Sequence, residues 1–301
     1  MRSKPNVFLI GGCRSGTTSL SRYLGDHPEV CWATPKGPGY FSFDFENYRY
    51  VKTLDEYDAC FAGATDQHKV LAEGATWYLY SQQAVPRILE YNPDARFLAI
   101  IRNPIEQIQS FHNILVTQGN ETITDFAEAW DAQERRRLGI DIPRNCRDVA
   151  FLQYGDVARF GTQLEKVIGW VGADRINVTI YDDYILDPKA CYDRILEYLH
   201  LSPDDRAEFP VAMPNQRIRS QFLARLTHQP SPARVAVADA IKKTFGIRRL
   251  GFSEVLSRVN TRTEPRSKLA SEVTIRLREH YRGEIDLLSS ILDRDLSHWL
   301  A

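Results

Sequence analysis

The chain has 301 residues, of which 43% are hydrophobic, so it is long enough to bury a sizeable core. Its 38 Lys and Arg residues nearly balance its 39 Asp and Glu residues, which argues against a general polyanion binder and against a strongly acidic protein. The five cysteines are widely spaced and include no C-x-x-C pair, which favours free thiols in a reducing compartment over a disulfide framework or a zinc site.

Short apolar runs alternate with helical patterns over the first 200 residues. The predicted strands are Val7–Ile10, Val30–Ala33, Lys69–Glu73, Phe97–Ile101 and Ile176–Tyr181. The predicted helices are Thr17–Leu24, Leu54–Phe61, Gln82–Tyr91, Pro104–Val116, Asp125–Leu138, Asp156–Val171 and Pro188–Leu199. The alternation predicts an α/β fold with a P-loop-like central parallel sheet flanked by helices. We expect one domain over 1–301, with the α/β core at about 5–200 and a mostly helical, basic part at about 213–301.

The first predicted strand runs into a glycine-rich loop whose hydroxyl residues open a helix. This order of elements is the one that cradles a phosphate at a helix N-terminus. The spacing from Gly11 to Gly16 is that of a Walker A loop, but Thr17 and Thr18 follow where a lysine is expected, and the cation is Arg14 inside the loop. Because that lysine is missing, the loop argues against ordinary ATP or GTP hydrolysis. A phosphate-like ligand with a shorter anionic tail fits better.

A second strand-to-helix junction carries another arginine and another hydroxyl. The strand that ends at Ile101 is followed directly by Arg102, Asn103 and Pro104, and proline suits the first turn of a helix. Ser110 lies about two turns further on, so Arg102 and Ser110 can converge on one anion. Two such loops at the carboxyl ends of strands match a ligand that has an anionic group at each end.

These two segments, G-x-x-R-S-G-T-T-x-L and R-N-P-x-x-x-x-x-S, resemble the 5′-phosphosulfate loop and the 3′-phosphate motif of sulfotransferases that use 3′-phosphoadenosine 5′-phosphosulfate (PAPS). Other segments in the family's order extend the resemblance over nearly the whole chain: Glu73–Leu79, Tyr154–Trp170, Arg175–Asp183 and Asp295–Leu300. The resemblance implies an enzyme that transfers a sulfuryl group from PAPS to a hydroxyl or amine by in-line displacement, without a metal ion.

The resemblance also implies a role for each candidate site residue. Arg14 would stabilise the leaving 5′-phosphate and the sulfuryl oxygens, in place of the family's usual lysine. Backbone amides would complete the anion cradle, and they belong to Ser15, Gly16, Thr17 and Thr18. Arg102 and Ser110 would hold the 3′-phosphate. Arg262 lies in a segment that resembles the K-G-R-x-x-P loop of glycan sulfotransferases and would fold over the cofactor.

The general base for the acceptor is where the chain departs from the family pattern. Residues 35–44 resemble the K-E-P-x-[FY]-F segment, in which many members carry a glutamate base, but Gly37 stands at that position. Three explanations stay open: another group removes the proton, the acceptor needs little activation, or the protein binds PAPS without turnover. The candidates for another group are Glu73, Asp44 and His112. Glu73 leads because it ends a predicted strand at the same sheet edge as both anion loops, where Arg14 and the cofactor would act on its charge and leave it ionised.

The sequence gives weaker indications of the acceptor than of the donor. Between Met213 and Lys268 there are 12 Lys and Arg residues against three acids, an excess of +9 that suits an acidic glycan, another anion or membrane headgroups, although a charge run is more often a solvated face. The aromatic-rich stretch from Tyr40 to Tyr57 suits a flat or apolar acceptor instead. We therefore expect a small-molecule, lipid or glycan acceptor, with peripheral membrane contact left open and no nucleic-acid partner.

No stretch approaches the roughly 18 apolar residues of a spanning helix. The apolar run Val7–Ile10 is too short for a signal sequence, which leads us to expect a cytoplasmic protein without a transmembrane segment. A catalytically silent PAPS-binding protein and a P-loop kinase-like phosphotransferase stay open as alternatives to the sulfotransferase.

Overall fold

The computed structural model describes residues 4–210, 216–218, 261–263 and 269–301, the two short ranges by their backbone alone. The chain divides into two compact units. Unit 1 comprises Met1–Ile108, Gly155–Met213 and Thr274–Ala301, and unit 2 comprises Gln109–Tyr154 and Pro214–Val273. The division does not decide whether the chain is one domain, which stays a prediction.

Unit 1 contains a sheet of five parallel strands in the order β2-β3-β1-β4-β5. The strands are β1 (Val7–Gly11), β2 (Val30–Trp32), β3 (Val70–Gly74), β4 (Arg96–Ile101) and β5 (Ile176–Ile180). Each begins within one residue of its predicted start. The sheet and its flanking helices confirm the predicted α/β fold.

The helices alternate with these strands. In chain order they are α1 (Thr17–Gly25), α2 (Leu54–Ala59), α3 (Ala84–Tyr91), α4 (Pro104–Gln118), α5 (Phe126–Asp131), α6 (Gln133–Arg137), α7 (Tyr154–Val157), α8 (Phe160–Val171), α9 (Tyr181–Leu186), α10 (Pro188–Tyr198) and α11 (Ser271–Ile291). Short 3₁₀ helices cover Glu46–Tyr48, Val149–Leu152, Ala173–Arg175 and Ser297–Leu300. Among the helices that the structure describes, none combines the length and the apolar character needed to cross a bilayer.

The strands are continuous apolar runs because helices and loops cover both faces of the sheet. On one face Leu9 of β1 belongs to a core that includes Leu20 of α1 and Ile195 of α10. On the other face the ring of Phe8 contacts the ring of Phe41, with a centroid separation of 6.0 Å. Alternate residues of a strand point to opposite faces, so adjacent residues of β1 anchor both layers.

Strand β1 lies between β3 and β4, with Leu9 opposite Gly74 of β3 and Leu98 of β4. The chain adds β2 and β3 on one side of β1 and then β4 and β5 on the other. Ligands of open α/β sheets bind beyond the carboxyl ends of the strands, where the strand order reverses in this way. Both predicted anion loops follow the strands at this point, β1 and β4.

Several predicted boundaries are wrong, among them the single helix predicted for 156–171, which is divided between α7 and α8. Strand β5 ends at Ile180, and Tyr181 opens α9, with Asp182 and Asp183 in the first turn of that helix. Carboxylates are favoured at this end of a helix, so the acidic residues start a helix instead of ending a strand. The single helix predicted for 125–138 is two helices, α5 and α6, which meet at Ala132.

Unit 2, taken by itself, contains a fully buried ion pair. Nη1 and Nη2 of Arg136 each lie 2.7 Å from a carboxylate oxygen of Glu121, and neither side chain is exposed. The hydroxyl of Tyr154 donates to the same carboxylate at 2.7 Å. These hydrogen bonds satisfy the buried charges, which would otherwise be costly in an apolar core.

Two short strands in unit 2 pair antiparallel, β6 (Gln216–Ile218) and β7 (Thr261–Thr263). Arg217 of β6 lies opposite Arg262 of β7 in this pairing. Apart from these strands and α11, most of the basic part at 213–301 lies outside the described residues.

Candidate functional site

The loop between β1 and α1 is held in place by neighbouring backbone and side-chain groups of unit 1. The Gly12 N–H donates to the Ile100 carbonyl of β4 at 2.6 Å, and Nε2 of the buried Gln107 donates to the Cys13 carbonyl at 3.0 Å. A Cβ at Gly12 would lie 2.9 Å from the Phe160 ring, which explains a glycine at this close approach. The loop is therefore fixed against the junction that carries Arg102.

Gly16 is the N-cap of α1 and has a φ of 92°, in the left-handed region that favours glycine. Because glycine places no side chain over the helix start, the first-turn amides of Thr17 and Thr18 keep the geometry of an anion site. Ser15 is buried, and its N–H donates to the Gly12 carbonyl at 3.2 Å. Of the four amides expected in the cradle, that of Ser15 is thus used by the loop's own turn.

Arg102 connects the two predicted anion loops. Its Nη1 donates to the Arg14 carbonyl at 3.4 Å, and its guanidinium carbon lies 4.4 Å from the ring centroid of Tyr181. Its Nε and Nη2 donate to Oε2 of Glu106 at 3.1 and 2.6 Å. The guanidinium is nearly buried whereas Glu106 is half exposed, so a phosphate held by Arg102 would compete with the Glu106 carboxylate.

Three other predicted residues are placed as follows. Arg14 is half-buried and has a φ of 62°, an uncommon conformation for a residue with a Cβ. Ser110 is buried in the second turn of α4, within the part of that helix that belongs to unit 2. Arg262 lies in β7 of unit 2, and its side chain falls outside the described residues.

Lys36 is a residue near the loop to which the sequence assigned no role. Its Nζ donates to Oγ1 of Thr18 at 3.1 Å. Desolvation lowers its pKa to about 8 although the side chain keeps contact with solvent. The signal available in the sequence was its position, directly before the glycine that replaces the expected glutamate.

Glu73 does not have the charge state expected for it. The side chain is fully buried, and Oε1 accepts hydrogen bonds from the hydroxyls of Tyr78 at 2.9 Å and Tyr57 at 3.2 Å. Burial raises its pKa to about 8, and the two tyrosine hydrogen bonds offset this only in part. Oε2 has no hydrogen-bond partner within the described residues. The expectation that Glu73 is ionised at neutral pH is therefore wrong, because burial outweighs the two tyrosine hydrogen bonds.

The other two candidates for the base also have structural partners. The Asp44 carboxylate accepts hydrogen bonds from the Ser81 hydroxyl at 2.6 Å and from the Gln82 N–H at 2.8 Å. Both of these partners directly precede α3. In unit 2, His112 is buried with Nε2 2.9 Å from the Ile123 carbonyl, and burial lowers its pKa. Each arrangement is typical of a side chain that stabilises the fold.

The carboxyl-terminal segment explains two of the weaker sequence matches. Nε1 of Trp299 donates to Asp182 at 2.7 Å, and Arg294 pairs with Asp183 through two hydrogen bonds. Nδ2 of Asn103 donates to the Trp299 carbonyl at 3.3 Å. The end of the chain thus ties the start of α9 to the residue that follows Arg102.

The chain is similar to known sulfotransferases in sequence and in fold. A family model described as the sulfotransferase family matches residues 5–205. The solved structure of a sulfotransferase from Alicyclobacillus acidocaldarius is similar in fold, with a TM-score of 0.72 at 20% identity, over 99% of this chain and 100% of that one.

Two curated relatives are similar over shorter stretches. The membrane-associated sulfotransferase kil1 of Dictyostelium discoideum is 27% identical over 111 residues, 36% of this chain and 22% of that protein. The bifunctional heparan sulfate N-deacetylase/N-sulfotransferase 1 of Caenorhabditis elegans is 28% identical over 126 residues, 41% of this chain and 14% of that protein. The chain therefore spans less than a quarter of the length of either relative.

Proposed function

The chain belongs to the sulfotransferase family, and we propose that it transfers a sulfuryl group from PAPS to a hydroxyl or amine of an acceptor. The observation that carries the proposal is the link between the two anion loops, in which Nη1 of Arg102 reaches the carbonyl of Arg14. The loops follow adjacent strands, β1 and β4, which supports the proposal that both arginines serve one crevice of unit 1. A donor with a phosphate at one end and a phosphosulfate at the other matches this pairing.

The residues present fit PAPS, which supplies an activated sulfuryl group for in-line displacement. The amides of Thr17 and Thr18 would bind the 5′ end at the start of α1. Arg14 would stabilise the negative charge that grows on the bridging oxygen as the S–O bond breaks. Arg102 would hold the 3′-phosphate after releasing Glu106, and Ser110 stays a sequence-based candidate for the same group. Arg262 stays a sequence-based candidate for the same cofactor.

The acceptor must lose a proton, and of the three candidate bases Glu73 is buried with a raised pKa, whereas Asp44 and His112 are held by structural hydrogen-bond partners. Glu73 stays the proposed base, but in its buried and protonated form it cannot take a proton at pH 7. If it acts as the base, turnover should rise with pH through about 8 in the parent. The Glu73→Gln variant should lose this turnover while keeping its affinity for the cofactor.

The lack of an accessible glutamate base at position 37 or 73 favours a second candidate function, that of a protein that binds PAPS without turnover. Gly37 removes the glutamate expected by resemblance, and Glu73 is buried. A kinase-like function has less support because the Walker lysine is missing. The heparan sulfate relative, by its name, acts on a glycan amine, so glycans belong in the acceptor search beside small molecules and lipids. A cytoplasmic location is part of this proposal.

Ligand-dependent thermal unfolding tests the nucleotide class. The protein is mixed with 3′-phosphoadenosine 5′-phosphate (PAP) or with ATP and magnesium, and a ligand at 100 times its Kd should add about 2.7 kcal/mol of stability. We expect stabilisation by PAP and little by ATP, and the reverse result would contradict the proposal. Mass spectrometry then screens glycans, phenols, lipids and peptides with PAPS for the gain of one sulfuryl group. PAP binding without turnover on any acceptor would favour the hypothesis that the protein binds PAPS but is not a catalyst.

A further inference from the structure

Lys36 brings a positive charge to the start of α1 from a separate loop. Its Nζ donates to Oγ1 of Thr18, which lies in the first turn of that helix. A helix N-terminus and a cation side by side both favour an anion. An ammonium has three N–H donors, and Thr18 accepts one of them.

The loop at 35–39 reaches this position because of its glycines. Gly37 has a φ of +71°, and a Cβ there would lie 3.1 Å from the Gly74 carbonyl at the end of β3. Gly39 has a φ of +66°, and a Cβ there would lie 2.8 Å from the Tyr48 carbonyl. Glycine tolerates both the conformation and the close approach. The substitution that removes the expected glutamate therefore also lets the backbone pack where Lys36 meets Thr18.

The electrostatic surroundings of Lys36 differ from those of Arg102. Arg102 has the Glu106 carboxylate as its partner. Desolvation lowers the pKa of Lys36, and only an ionised Cys13 thiolate would oppose this; burial raises the pKa of that thiol to about 12, so it is neutral at pH 7. A partly desolvated ammonium beside a neutral thiol would be stabilised by an incoming anion.

We propose that Lys36 is a further cofactor-binding cation of this site and donates to the anionic oxygens at the 5′ end of PAPS, beside Arg14. The inference rests on the proposed function, since it assigns a contact to the same donor. Because Lys36 meets Thr18 at the start of α1, its effect should be confined to the 5′ end. The 3′-phosphate is assigned to Arg102.

PAP and adenosine 3′-phosphate differ only in the 5′-phosphate. Comparing how tightly they bind therefore distinguishes a contact at the 5′ end from a contact at the 3′-phosphate. Isothermal titration calorimetry measures the affinities of PAP and adenosine 3′-phosphate for the parent and for three variants, Lys36→Ala, Lys36→Gln and Lys36→Arg. The control is Lys189→Ala, which removes an exposed lysine of α10 paired with Asp193. We expect Lys36→Ala and Lys36→Gln to weaken PAP binding by about 10–100-fold, the range for a hydrogen bond between charged groups. Binding of adenosine 3′-phosphate should change less than about twofold, and Lys36→Arg should keep most of the PAP affinity.

Unchanged PAP affinity in Lys36→Ala would overturn the role of Lys36 and leave the proposed function intact. Equal weakening of both ligands would also overturn it, since a structural disturbance would affect both ends of the site. A parent protein that binds neither ligand would instead overturn the proposed function, and the Lys36 role with it. Because Lys36 is exposed, we expect its variants to fold like the parent, which circular dichroism checks.

Discussion

Arg102, the residue proposed to bind the 3′-phosphate, is paired with Glu106, whose carboxylate would compete with that phosphate. Arg102→Ala should weaken PAP binding by about 1.5–3 kcal/mol, because it removes a charge-assisted hydrogen bond to the 3′-phosphate. Glu106→Gln should leave the affinity for PAP unchanged or raise it. The reason is that the Arg102 guanidinium no longer has to leave a carboxylate in order to bind the phosphate. Calorimetric titration of both variants checks the pair. Equal PAP affinity of Arg102→Ala and parent would remove the assignment of Arg102.

Arg14 combines a half-buried side chain with a backbone φ of 62°. We expect it to act mainly in the transition state, since the charge it faces grows as the S–O bond breaks. Once an acceptor is known, Arg14→Ala should lower kcat by about 10²–10³. Arg14→Lys should recover much of this loss because it keeps the charge. A rise in KM with unchanged kcat would show instead that Arg14 only binds the donor.

At the scale of elements, the conformation of the loop at 35–39 allows a prediction of how a substitution at Gly37 changes stability. Gly37→Ala should destabilise the protein by about 1–2 kcal/mol, because its φ is +71° and the new Cβ would lie 3.1 Å from the Gly74 carbonyl. Gly63→Ala is the matched control, since a Cβ there would meet nothing within 4 Å. Chemical denaturation measures both. A Gly37→Glu variant would carry the same strain, so restoring the family's glutamate should not restore a base in working position.

The elements that the sequence predicted well are those determined by neighbouring residues. The strands and both arginine junctions follow from apolar runs, glycine spacing and the proline at the start of α4. The contact of Lys36 with Thr18 was not predictable in this way, because it depends on how a distant loop packs against β3. Glu73 was placed on the right strand, but its burial under Tyr57 and Tyr78 depends on tertiary structure. Position along a strand indicates an edge of the sheet, and it does not indicate exposure.

At the scale of the whole molecule, carboxyl groups with shifted pKa values set opposite pH limits on stability. The guanidinium of Arg294 lowers the pKa of Asp183. Burial raises the pKa of Glu121, but hydrogen bonds from Arg136 and Tyr154 outweigh it, and the net shift is downward. Carboxylates of this kind stabilise the fold above their unfolded pKa of about 4, and this contribution is lost as the pH falls through their folded values. Glu73 is the opposite case, because its folded pKa lies above its unfolded one.

The stability that Glu73 contributes in its protonated form is therefore complete below about pH 4.5 and is lost as the pH rises through about 8. Across that window the unfolded state releases a proton that the folded state keeps, so the free energy of unfolding should fall by up to about 1.4 kcal/mol per pH unit. Glu73→Gln keeps the shape of the protonated carboxyl and cannot ionise. Its stability relative to the parent should rise steadily from pH 5 to pH 8, as denaturant titrations in buffers of matched ionic strength would measure. The loss of stability below pH 4 should be the same in both proteins, because Asp183 and Glu121 are unchanged. A constant difference between Glu73→Gln and the parent across pH 5–8 would show that Glu73 ionises normally in the folded state, and would return it to the position of an ordinary carboxylate base.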